Sequence, residues 1–487
     1  MTYGMSLRML LEGWLPDPPD IVVAGLELDS RHVEPGHAFI AVQGSQEHGF
    51  DHATQAVEKG CVAIIHDGIR PEPDVDVPCV AVPELDEKLG ELASRFWAAP
   101  SDLMTIAGVT GTNGKTSVAH FLAQSWQRVY GLSGMIGTLG YGSMSDLHTA
   151  DRTTPDVLKL NEMLARCLDS GIERLAMEVS SHALEQQRCQ TVQFDAAIFT
   201  NLSRDHLDYH QDMQAYADAK KKLFTEFAPR FAVINHDDLT GRDWIGELGS
   251  HTQVLGFGMM PGAELGAEIL CVDADGMYLR FNGPWGRSEF RTGLLGAFNV
   301  SNLLATAGTL SLLGMSWAEV VGELEMMKPV PGRMMNLGGK PGQPVVVIDY
   351  AHTPDALAQA LQAVKAHLGG RLTCVFGCGG NRDRGKRPQM GQAAEKLADE
   401  LVITSDNPRY ESVNSIINDV LSGLEEPNRA RVEPDRTAAI TCAISNSGPG
   451  DIVLVAGKGH ETWQEVAGQK LPFSDEAVIR AALEAAA

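Results

Sequence analysis

The stretch TIAGVTGTNGKT, residues 105–116, places a Gly-rich turn that ends in Lys115 and Thr116 directly after a short apolar run. Gly111 and Gly114 lack side chains, so backbone N–H groups can close around phosphate oxygens there. Lys115 adds a positive charge, and Thr116 offers a hydroxyl group to Mg²⁺. The pattern therefore predicts a loop that binds a nucleoside triphosphate.

The match to the usual phosphate-loop pattern is imperfect, because Val109 stands where that pattern has its first glycine. The surrounding sequence nevertheless favours the motif. Residues 103–109 read as a buried strand, and apolar residues then recur at helical spacing from Val118 to Val129. Strand, loop and helix thus occur in the required order, which favours nucleotide binding over a Gly-rich turn with a solvated lysine.

Length and charge limit the possible functions. The chain has 487 residues and a formal net charge of −24, from 39 basic and 63 acidic residues. It is too long for one ordinary core, and its charge argues against a nucleic-acid partner because a polyanion would be repelled. No segment approaches the roughly 18 consecutive apolar residues of a membrane span, and the N-terminal apolar run is too short for a secretory signal. We expect a cytoplasmic protein that acts on small molecules without an obligate protein partner.

Composition changes near Pro100 and at KPVPGR, residues 328–333, predict three domains. The expected boundaries are residues 1–100, 101–330 and 331–487. In the second and third domains strands alternate with helices, which indicates largely parallel sheets covered by helices. The predicted fold class is α/β, with a smaller N-terminal α/β domain, a central phosphate-loop domain with a parallel sheet, and a C-terminal Rossmann-like domain.

Four strands of the third domain end in polar or glycine-rich segments. These segments are Asp349 with His352, residues 377–387 (GCGGNRDRGKR), residues 405–409 (SDNPR) and residues 457–461 (GKGHE). Ligands of open α/β sheets bind outside the carboxyl ends of the strands, so we expect these loops to converge on one site. The basic run would then face an anionic ligand rather than form a solvated loop.

The central domain carries further candidate ligands. Glu178 ends an apolar strand and should reach the same sheet edge as Thr116, which suits a Mg²⁺ ligand, although a surface salt bridge is the alternative. Three more polar side chains crowd a strand exit: His206, Asp208 and His210. Spacing alone does not decide which of them contacts a metal or a phosphate. Composition predicts that Lys220, in a run of three lysines, lies on a solvated helix face.

The order and spacing of seven motifs resemble the Mur ligase family, amide-forming enzymes of peptidoglycan precursor synthesis. The motifs are GTNGKT, EVSSHALEQQR, NLSRDHLDYH, DYAHTPD, NRDRGKR, DNPR and GKGHE. The resemblance covers nearly the whole chain, and DNPR is typical of members that use meso-diaminopimelate rather than lysine. It implies ATP, a UDP-N-acetylmuramoyl-L-alanyl-D-glutamate dipeptide and meso-diaminopimelate as substrates, an acyl phosphate intermediate, and Mg²⁺ as cofactor.

The resemblance also implies roles for individual residues. The implied ATP contacts are Gly111, Thr112, Asn113, Gly114, Lys115, Thr116, Ser117, Asn299, Arg333, Asp349 and His352. The implied contacts to the UDP-muramyl substrate are Leu28, Ser30, Ser45, Gln46, Glu47, Thr153, Thr154, Ser180, Gln186 and Arg188. The implied contacts to diaminopimelate are Arg382, Asp406, Asn407, Pro408, Arg409, Gly457 and Glu461.

For Lys220 the resemblance reverses the expectation from composition, because this lysine is similar to one that CO₂ converts into a carbamate. An ammonium group beside magnesium would be repelled, whereas a carbamate would be attracted. The implied metal ligands are Thr116 and Glu178 for one Mg²⁺, and His206 and Lys220 as the carbamate for a second Mg²⁺. The implied catalytic residues are Lys115, Lys220 and His206.

Two alternatives remain at this point. Folylpolyglutamate synthase shares a GTNGKT-type loop, but the first domain and DNPR argue against it. A phosphate-loop switch or motor, in which hydrolysis moves a partner, explains neither the loops of the third domain nor Lys220. Phosphate release that depends on both a muramyl dipeptide and an amino acid would separate these alternatives.

Overall fold

A computed structural model of the protein describes residues 4–44, 47–150, 152–249, 252–273, 276–367 and 369–485. The chain divides into two compact units. The first consists of Met1–Gly108, Trp126–Asp195 and Lys222–Pro229, and the second of Val109–Ser125, Ala196–Lys221 and Arg230–Ala487. None of the helices in the described ranges combines the length and the apolar character that a bilayer span requires.

The described residues of the first unit form eleven strands, one of which continues into the second unit. They are β1 (Met5–Ser6), β2 (Val22–Val23), β3 (Gly25–Glu27), β4 (His37–Ala41), β5 (Ala63–His66), β6 (Cys79–Ala81), β7 (Thr105–Thr110), β8 (Gly134–Gly137), β9 (Gly140–Ser143), β10 (Asp146–His148) and β11 (Arg174–Glu178). Its helices are α1 (Leu7–Leu10), α2 (Ala53–Glu58), α3 (Leu85–Phe96), α5 (Val157–Asp169) and α6 (Ser181–Glu185), with 3₁₀ turns at Gly49–His52 and Pro100–Leu103.

A four-stranded parallel sheet, in the order β3-β4-β5-β6, forms the centre of the N-terminal segment. Successive side chains of a strand point to opposite faces, so each strand supplies two cores. Ile40 and Ile65 pack into a cluster with α3 and α5, whereas Phe39 and Ile64 pack into a cluster with α2. Both faces are therefore buried, as is typical of a parallel sheet between helices.

Strands β1 and β2 form an antiparallel pair, and five further strands of the first unit follow the order β10-β9-β8-β11-β7. Strands β8 and β11 are parallel, while β8, β9 and β10 form an antiparallel meander. Strand β11 ends at Glu178, which places this carboxylate at the carboxyl edge of its strand.

The second unit contains the phosphate-loop helix and the whole C-terminal half of the chain. Its helices are α4 (Lys115–Tyr130) and α7 (Met213–Thr225), both of which end in the first unit, and α8 (Leu239–Glu247), α9 (Ala297–Leu312), α10 (Trp317–Glu325), α11 (Pro354–His367), α12 (Lys386–Leu397), α13 (Val413–Leu421), α14 (Arg436–Ser445) and α15 (Asp475–Ala485), with a 3₁₀ turn at Pro427–Arg429. Its strands are β12 (Ala196–Phe199), β13 (Phe231–Asn235), β14 (Gln253–Gly258), β15 (Leu265–Asp273), β16 (Gly276–Gly283), β17 (Gly286–Thr292), β18 (Met335–Gly338), β19 (Val345–Asp349), β20 (Leu372–Phe376), β21 (Glu400–Ile403), β22 (Arg431–Val432), β23 (Ile452–Ala456), β24 (Trp463–Val466) and β25 (Gln469–Pro472).

Strands β12 to β17 are neighbours in chain order. Strands β12 to β15 run parallel, as the sequence predicts, but β15, β16 and β17 form an antiparallel extension that the sequence analysis did not predict. Many residues of this extension are exposed on one face, which is possible because an antiparallel sheet can face water on one side.

A six-stranded sheet, in the order β18-β19-β23-β20-β21-β22, carries helices on both faces. All its pairings are parallel except that of β18 with β19. Val346 and Val453 pack into a core with α14 and α15, while the alternate residues Val347 and Leu454 pack into a core with α11, α12 and α13. The predicted α/β fold class is confirmed, whereas the domain boundaries near residues 100 and 330 stay a prediction.

Candidate active site

The Gly-rich turn lies between β7 and α4. Gly111 and Gly114 have φ angles of +144° and +86°, which residues with side chains rarely adopt. A Cβ atom on Gly111 would collide with the hydroxyl of Thr200, and one on Gly114 would lie 2.6 Å from Oδ1 of Asn302. Both positions therefore require glycine for the backbone angle and for space.

The segment that follows β12 supports this loop. The hydroxyl of Thr112 donates to the carbonyl of Ser203 (3.1 Å), and the backbone N–H of Asn113 donates to Oδ1 of Asn201 (2.9 Å). Thr200 donates from its hydroxyl to the carbonyl of Asn113 (2.6 Å). The loop is thus held in shape by polar contacts that do not depend on a ligand. Further along, Thr116 and Ser117 are buried in the first turn of α4.

Two lysine ammonium groups lie at the base of the loop. Nζ of Lys115 donates to the carbonyls of Gly111 (2.9 Å) and Thr112 (2.8 Å), and Nζ of Lys220, on α7, donates to the same Gly111 carbonyl (2.8 Å). Lys220 is 1% exposed, so the solvated position predicted from composition is wrong. Burial, and then the charge of Lys115, lower the pKa of Lys220 well below its usual value.

A buried carboxylate stands at the centre of a second group of charges. Asp205 Oδ1 lies 3.4 Å from Nζ of Lys386, and its Oδ2 lies 3.5 Å from Nε2 of His206 and 4.0 Å from Nε2 of His352. Burial alone would raise the pKa of Asp205, but Lys386, His206 and His352 outweigh burial and lower it. This cluster joins the loop after β12 to the loop after β19 and to the start of α12.

Arg333 connects the linker before β18 to the phosphate loop. Its Nη2 atom donates to the Thr116 hydroxyl at 3.4 Å, and its guanidinium lies 4.3 Å from the centre of the Tyr350 ring. Its buried Nε atom has no hydrogen-bond partner among the described residues. The nearby Asp349 carboxylate accepts two backbone N–H groups, and burial raises its pKa although Arg333 opposes this.

Two asparagines on α9 have different positions relative to the loop. Asn299 donates to the carbonyl of Leu295 (2.8 Å) and accepts from Asn302 (3.1 Å). Oδ1 of Asn302 is the atom that a Cβ atom on Gly114 would meet. The sequence analysis selected Asn299 and missed Asn302. The i, i+3 spacing of the two residues, which places them on one helix face, was a signal that could have identified both.

In the first unit, the predicted magnesium ligand Glu178 is 1% exposed. Its carboxylate accepts from the backbone N–H of Thr138 (2.7 Å) and from the Thr138 hydroxyl (3.2 Å), which also lies 3.2 Å from the hydroxyl of Thr153. Because Glu178 is buried, the alternative interpretation, a salt bridge on the protein surface, is wrong.

Four other predicted substrate contacts form one network beside Glu178 in the same unit. Thr154 donates to the backbone carbonyl of Glu178 (2.8 Å) and accepts from the N–H of Ser180 (3.1 Å). Arg188 donates to the backbone carbonyl of Thr154 (2.8 Å) and to Oε1 of Gln186 (2.6 Å). These side chains are therefore held in position by one another.

A cleft of about 1860 Å³ lies in the first unit. Leu28, Ser30 and Glu47 line it, together with the basic residues Lys159 and Arg166 of α5. The hydroxyl of Ser30 donates to Oε1 of Gln55, which lines the cleft as well. The predicted contacts Ser45 and Gln46 lie outside the described residues.

The predicted diaminopimelate residues lie in loops at the carboxyl edge of the six-stranded sheet. Arg409 has a φ angle of +51° and donates from Nε to Glu465 (3.1 Å) and from Nη1 to the Gly380 carbonyl (2.8 Å). Glu461 accepts from Asn407 (2.9 Å) and from Lys458 (2.7 Å).

The other predicted residues of this group fit between those loops. A Cβ atom on Gly457 would lie 2.7 Å from Oδ2 of Asp406, and the carbonyl of Pro408 leaves no room for a side chain at Gly380. Arg382 is exposed and donates to the carbonyl of Asn381 (3.2 Å). The loops after β20, β21 and β23 are therefore in close contact with one another.

Three family models match the chain. They are described as the Mur ligase family catalytic domain (residues 22–97), the Mur ligase middle domain (residues 109–310) and the Mur ligase glutamate ligase domain (residues 332–459). The chain belongs to the Mur ligase family. It is an ATP-dependent, amide-forming ligase, and the predicted resemblance is confirmed.

Similar proteins cover this Mur ligase from end to end. It is 46% identical over 489 residues to a protein of Xylella fastidiosa (strain Temecula1), covering 100% of this chain and 98% of the relative. It is 48% identical to a protein of Xanthomonas campestris pv. campestris (strain 8004), covering 98% of both. Both relatives are named UDP-N-acetylmuramoyl-L-alanyl-D-glutamate--2,6-diaminopimelate ligase. A solved structure with the same name is 34% identical, with a TM-score of 0.69, and the match covers 100% of this chain and 99% of that one.

These findings decide between the earlier alternatives. A phosphate-loop motor is wrong, because the chain is a ligase. The N-terminal family match, residues 22–97, favours a Mur ligase over folylpolyglutamate synthase as well. The sequence analysis missed Asp205 and Lys386, although both stand inside motifs that it singled out.

The predicted metal site remains a prediction. In the described ranges, no group of three or more His, Cys, Asp or Glu side chains is arranged to hold a metal ion. The predicted set has only Glu178 and His206 of those types, and its other donors are the Thr116 hydroxyl and a carbamate on Lys220. Two carboxylate-type groups and a hydroxyl supply oxygen donors, which suit a hard cation such as Mg²⁺.

Proposed function

We propose that this Mur ligase joins meso-diaminopimelate to the D-glutamyl carboxylate of UDP-N-acetylmuramoyl-L-alanyl-D-glutamate at the expense of ATP, in peptidoglycan precursor synthesis. The contact between Lys386 and Asp205 carries the proposal, because it joins the NRDRGKR loop to the segment that supports the phosphate loop. Phosphate-binding and amino-acid-binding loops thus meet within one compact unit. The names of the full-length relatives support the same substrates.

The reaction needs activation because a carboxylate is a poor acyl donor. Transfer of the γ-phosphoryl group of ATP to the D-glutamyl γ-carboxylate forms an acyl phosphate, and phosphate becomes the leaving group. The amine of diaminopimelate then attacks the acyl carbon, an amide forms, and ADP and phosphate are released. Phosphoryl transfer depends mainly on positioning and charge neutralisation. Lys115 and the loop N–H groups would position the phosphates and neutralise their charge.

Thr116 and Glu178 would hold one Mg²⁺, and His206 with a carbamate on Lys220 would hold a second. Mg²⁺ neutralises phosphate charge when bound. The environment of Lys220 supports carbamate formation, since its lowered pKa favours the neutral amine that reacts with CO₂. Arg333 lies against Thr116 and would contact the phosphates from the linker side.

Selectivity for the amino acid would come from the loops after β20, β21 and β23. The planar guanidinium of Arg409 is suited to a bidentate bond with the distal carboxylate of diaminopimelate. Glu461, already an acceptor for Lys458 and Asn407, would accept from the distal ammonium group. Lysine lacks that carboxylate and would not form this contact with Arg409, which disfavours lysine.

The cleft that Leu28, Ser30 and Glu47 line would take the uridine end of the muramyl substrate, and Thr153, Thr154, Ser180, Gln186 and Arg188 would contact the rest. Lys159 and Arg166 line this cleft as well, and both form ion pairs with Glu162, which is also part of its lining. All substrates are small molecules, so we infer that the enzyme needs no protein partner and acts in the cytoplasm.

One assay tests this function. Purified protein is incubated with ATP, Mg²⁺, the UDP-linked dipeptide and either meso-diaminopimelate or lysine, and both phosphate release and product mass are measured. We expect phosphate release only when dipeptide and diaminopimelate are both present, with a product heavier by one diaminopimelate residue. Equal use of lysine would refute the proposed selectivity, and phosphate release without any amino acid would refute the ligase mechanism.

A further inference from the structure

Arg387, at the start of α12, has a side chain that is completely buried. Its Nη1 atom donates to Glu411 (2.9 Å) and to Asp419 (2.8 Å). Its Nη2 atom donates to Glu411 (2.8 Å) and to the backbone carbonyl of Gly379 (3.1 Å). One guanidinium group thus forms hydrogen bonds to the loop after β20, to the loop after β21 and to helix α13. A planar fork of donors can bridge three such acceptors, whereas a lysine ammonium cannot reproduce the arrangement.

Glu411 also links the loop after β21 to the loop after β20. Besides Arg387, its carboxylate accepts from the backbone N–H of Asn381, which has a φ angle of +50°. The side-chain oxygen of Asn381 accepts in turn from the backbone N–H of Tyr410 (3.0 Å). Hydrogen bonding to Arg387 lowers the pKa of Glu411 to about 2, so its charge is present at neutral pH.

These contacts fix the two loops at the positions next to the proposed amino-acid contacts. Asn381 directly precedes Arg382, and Glu411 follows Arg409 by two residues. Arg409 itself donates to the carbonyl of Gly380, one residue after the carbonyl that Arg387 binds. The separation between the guanidinium groups of Arg382 and Arg409 therefore depends on how residues 379–381 and 409–411 are held together.

We propose that the ion pair of the buried Arg387 with the partly exposed Glu411, here called the loop clamp, positions Arg382 and Arg409 for the incoming amino acid and so sets amino-acid selectivity. Neither residue belongs to the proposed amino-acid contacts, so both are assigned as positioning residues. The inference rests on the proposed function, because it assumes that these loops bind the amino acid. Without the clamp the loops move apart, and a ligand with two charged ends loses one of its two contacts.

The test uses Glu411→Gln, which removes the charge but keeps an oxygen for the N–H of Asn381, and Arg387→Met, which removes the guanidinium. Steady-state kinetics with the full-length protein give kcat and KM for ATP, the dipeptide and diaminopimelate. We expect the KM for diaminopimelate to rise about tenfold or more, with the KM for ATP within about twofold. Preference for diaminopimelate over lysine should fall as well.

Glu395→Gln is the matched control. Glu395 also accepts two backbone N–H groups, those of Glu425 and Glu426, but it touches neither amino-acid loop. We expect its variant to keep the KM for diaminopimelate. If Arg387→Met does not fold, Glu411→Gln alone decides, together with its melting temperature.

Distinct outcomes separate this inference from the proposed function. If the wild-type enzyme used no diaminopimelate, the proposed function would fail. If the wild type is active but Glu411→Gln keeps both its KM for diaminopimelate and its discrimination against lysine, the loop clamp is refuted while the function stands. Equal rises in all three KM values would indicate general loss of structure and refute the positioning role.

Discussion

The ammonium groups of Lys115 and Lys220 donate hydrogen bonds to one acceptor, the carbonyl oxygen of Gly111, at 2.9 and 2.8 Å. Two full positive charges this close repel each other strongly in a buried site. Burial, and then the charge of Lys115, lower the pKa of Lys220 well below its usual value, which favours the neutral amine at Lys220. The fold therefore prepares a nucleophilic amine directly under the phosphate loop.

Replacing Lys220 should abolish catalysis without unfolding the protein. We expect Lys220→Ala to lower kcat by about 100-fold or more, because the oxygen donor of the carbamate is lost at the phosphates. Lys222→Ala is the control, since Lys222 lies on the same helix in an ion pair with Glu185. Carbon-13 NMR after incubation with labelled bicarbonate should show a carbamate signal that the Lys220 variant lacks. A fully active Lys220→Ala enzyme would contradict the assignment.

Gly114→Ala should weaken nucleotide binding. The added Cβ atom meets Oδ1 of Asn302 at 2.6 Å, at a backbone angle that alanine adopts only with strain. We expect ADP affinity, measured by titration calorimetry, to fall about tenfold or more. Gly131→Ala is the control for backbone strain without a steric clash, because Gly131 has a similar φ angle of +89° but open space around it. If both variants bind ADP like the wild type, the close packing of the loop has no role in binding.

How far the sequence predicts this site depends on whether the relevant contacts are local. The phosphate loop is a continuous motif between a strand and a helix, so its position and the need for Gly111 and Gly114 could be predicted from the residues themselves. Strands β20 and β21 are recognisable in the sequence, because parallel strands buried on both faces are nearly continuous apolar runs.

Contacts between distant segments could not be predicted in this way. Asp205 and Lys386 lie 181 positions apart, and only the folded chain brings them together. Lys220 is polar by composition and lies among other lysines, yet the tertiary fold buries it completely. The antiparallel strands β15 to β17 were missed since their half-exposed pattern lacks the continuous apolar runs of the other strands.

Arg409→Ala should impair use of the amino acid far more than nucleotide binding. The guanidinium holds Glu465 through Nε and the Gly380 carbonyl through Nη1, leaving Nη2 without a hydrogen bond among the described residues. Loss of a bidentate charged contact predicts a KM for diaminopimelate that is higher by about 100-fold, with the KM for ATP within about twofold. Arg429→Ala is the control, because Arg429 is an exposed arginine that pairs with Glu426 close to β22 of the same sheet. Unchanged diaminopimelate kinetics in Arg409→Ala would reject its role.

The buried His120 on the phosphate-loop helix predicts a defined pH dependence of stability. Burial lowers the pKa of His120 to about 4, and its Nδ1 atom accepts from Gln124 at 2.8 Å. Between pH 6.5 and about 4 the unfolded chain binds a proton that the folded chain does not, so stability falls as the pH falls through this window. The total loss is roughly 3 kcal/mol.

Urea unfolding at stepped pH values checks this dependence. Between pH 6.5 and 4, the free energy of unfolding should fall less steeply for His120→Gln than for the wild type. His32→Gln, at an exposed histidine, should fall as steeply as the wild type. If the free energy of unfolding had the same pH dependence in the wild type and in His120→Gln, His120 would not contribute to the pH dependence of stability.

The final prediction concerns the ion pair of Arg436 and Asp475, both completely buried. Nε and Nη2 of Arg436 each donate to one carboxylate oxygen at 2.7 Å, and its other bonds reach the carbonyls of Ser405 (3.2 Å) and Ala456 (3.0 Å). These carbonyls stand where β21 and β23 lead into the DNPR and GKGHE segments. The pair therefore ties two of the amino-acid loops to helices α14 and α15.

Asp475→Asn removes the compensating charge and should lower the free energy of unfolding by about 3–5 kcal/mol. We also expect a higher KM for diaminopimelate, because the strand ends that carry the loops lose their anchor. Glu476→Gln, at the next position, breaks only an exposed pair with Arg480 and should change stability by less than about 0.5 kcal/mol. Denaturant unfolding of both variants provides the comparison. Similar stabilities would mean that the buried pair contributes no more than a surface one.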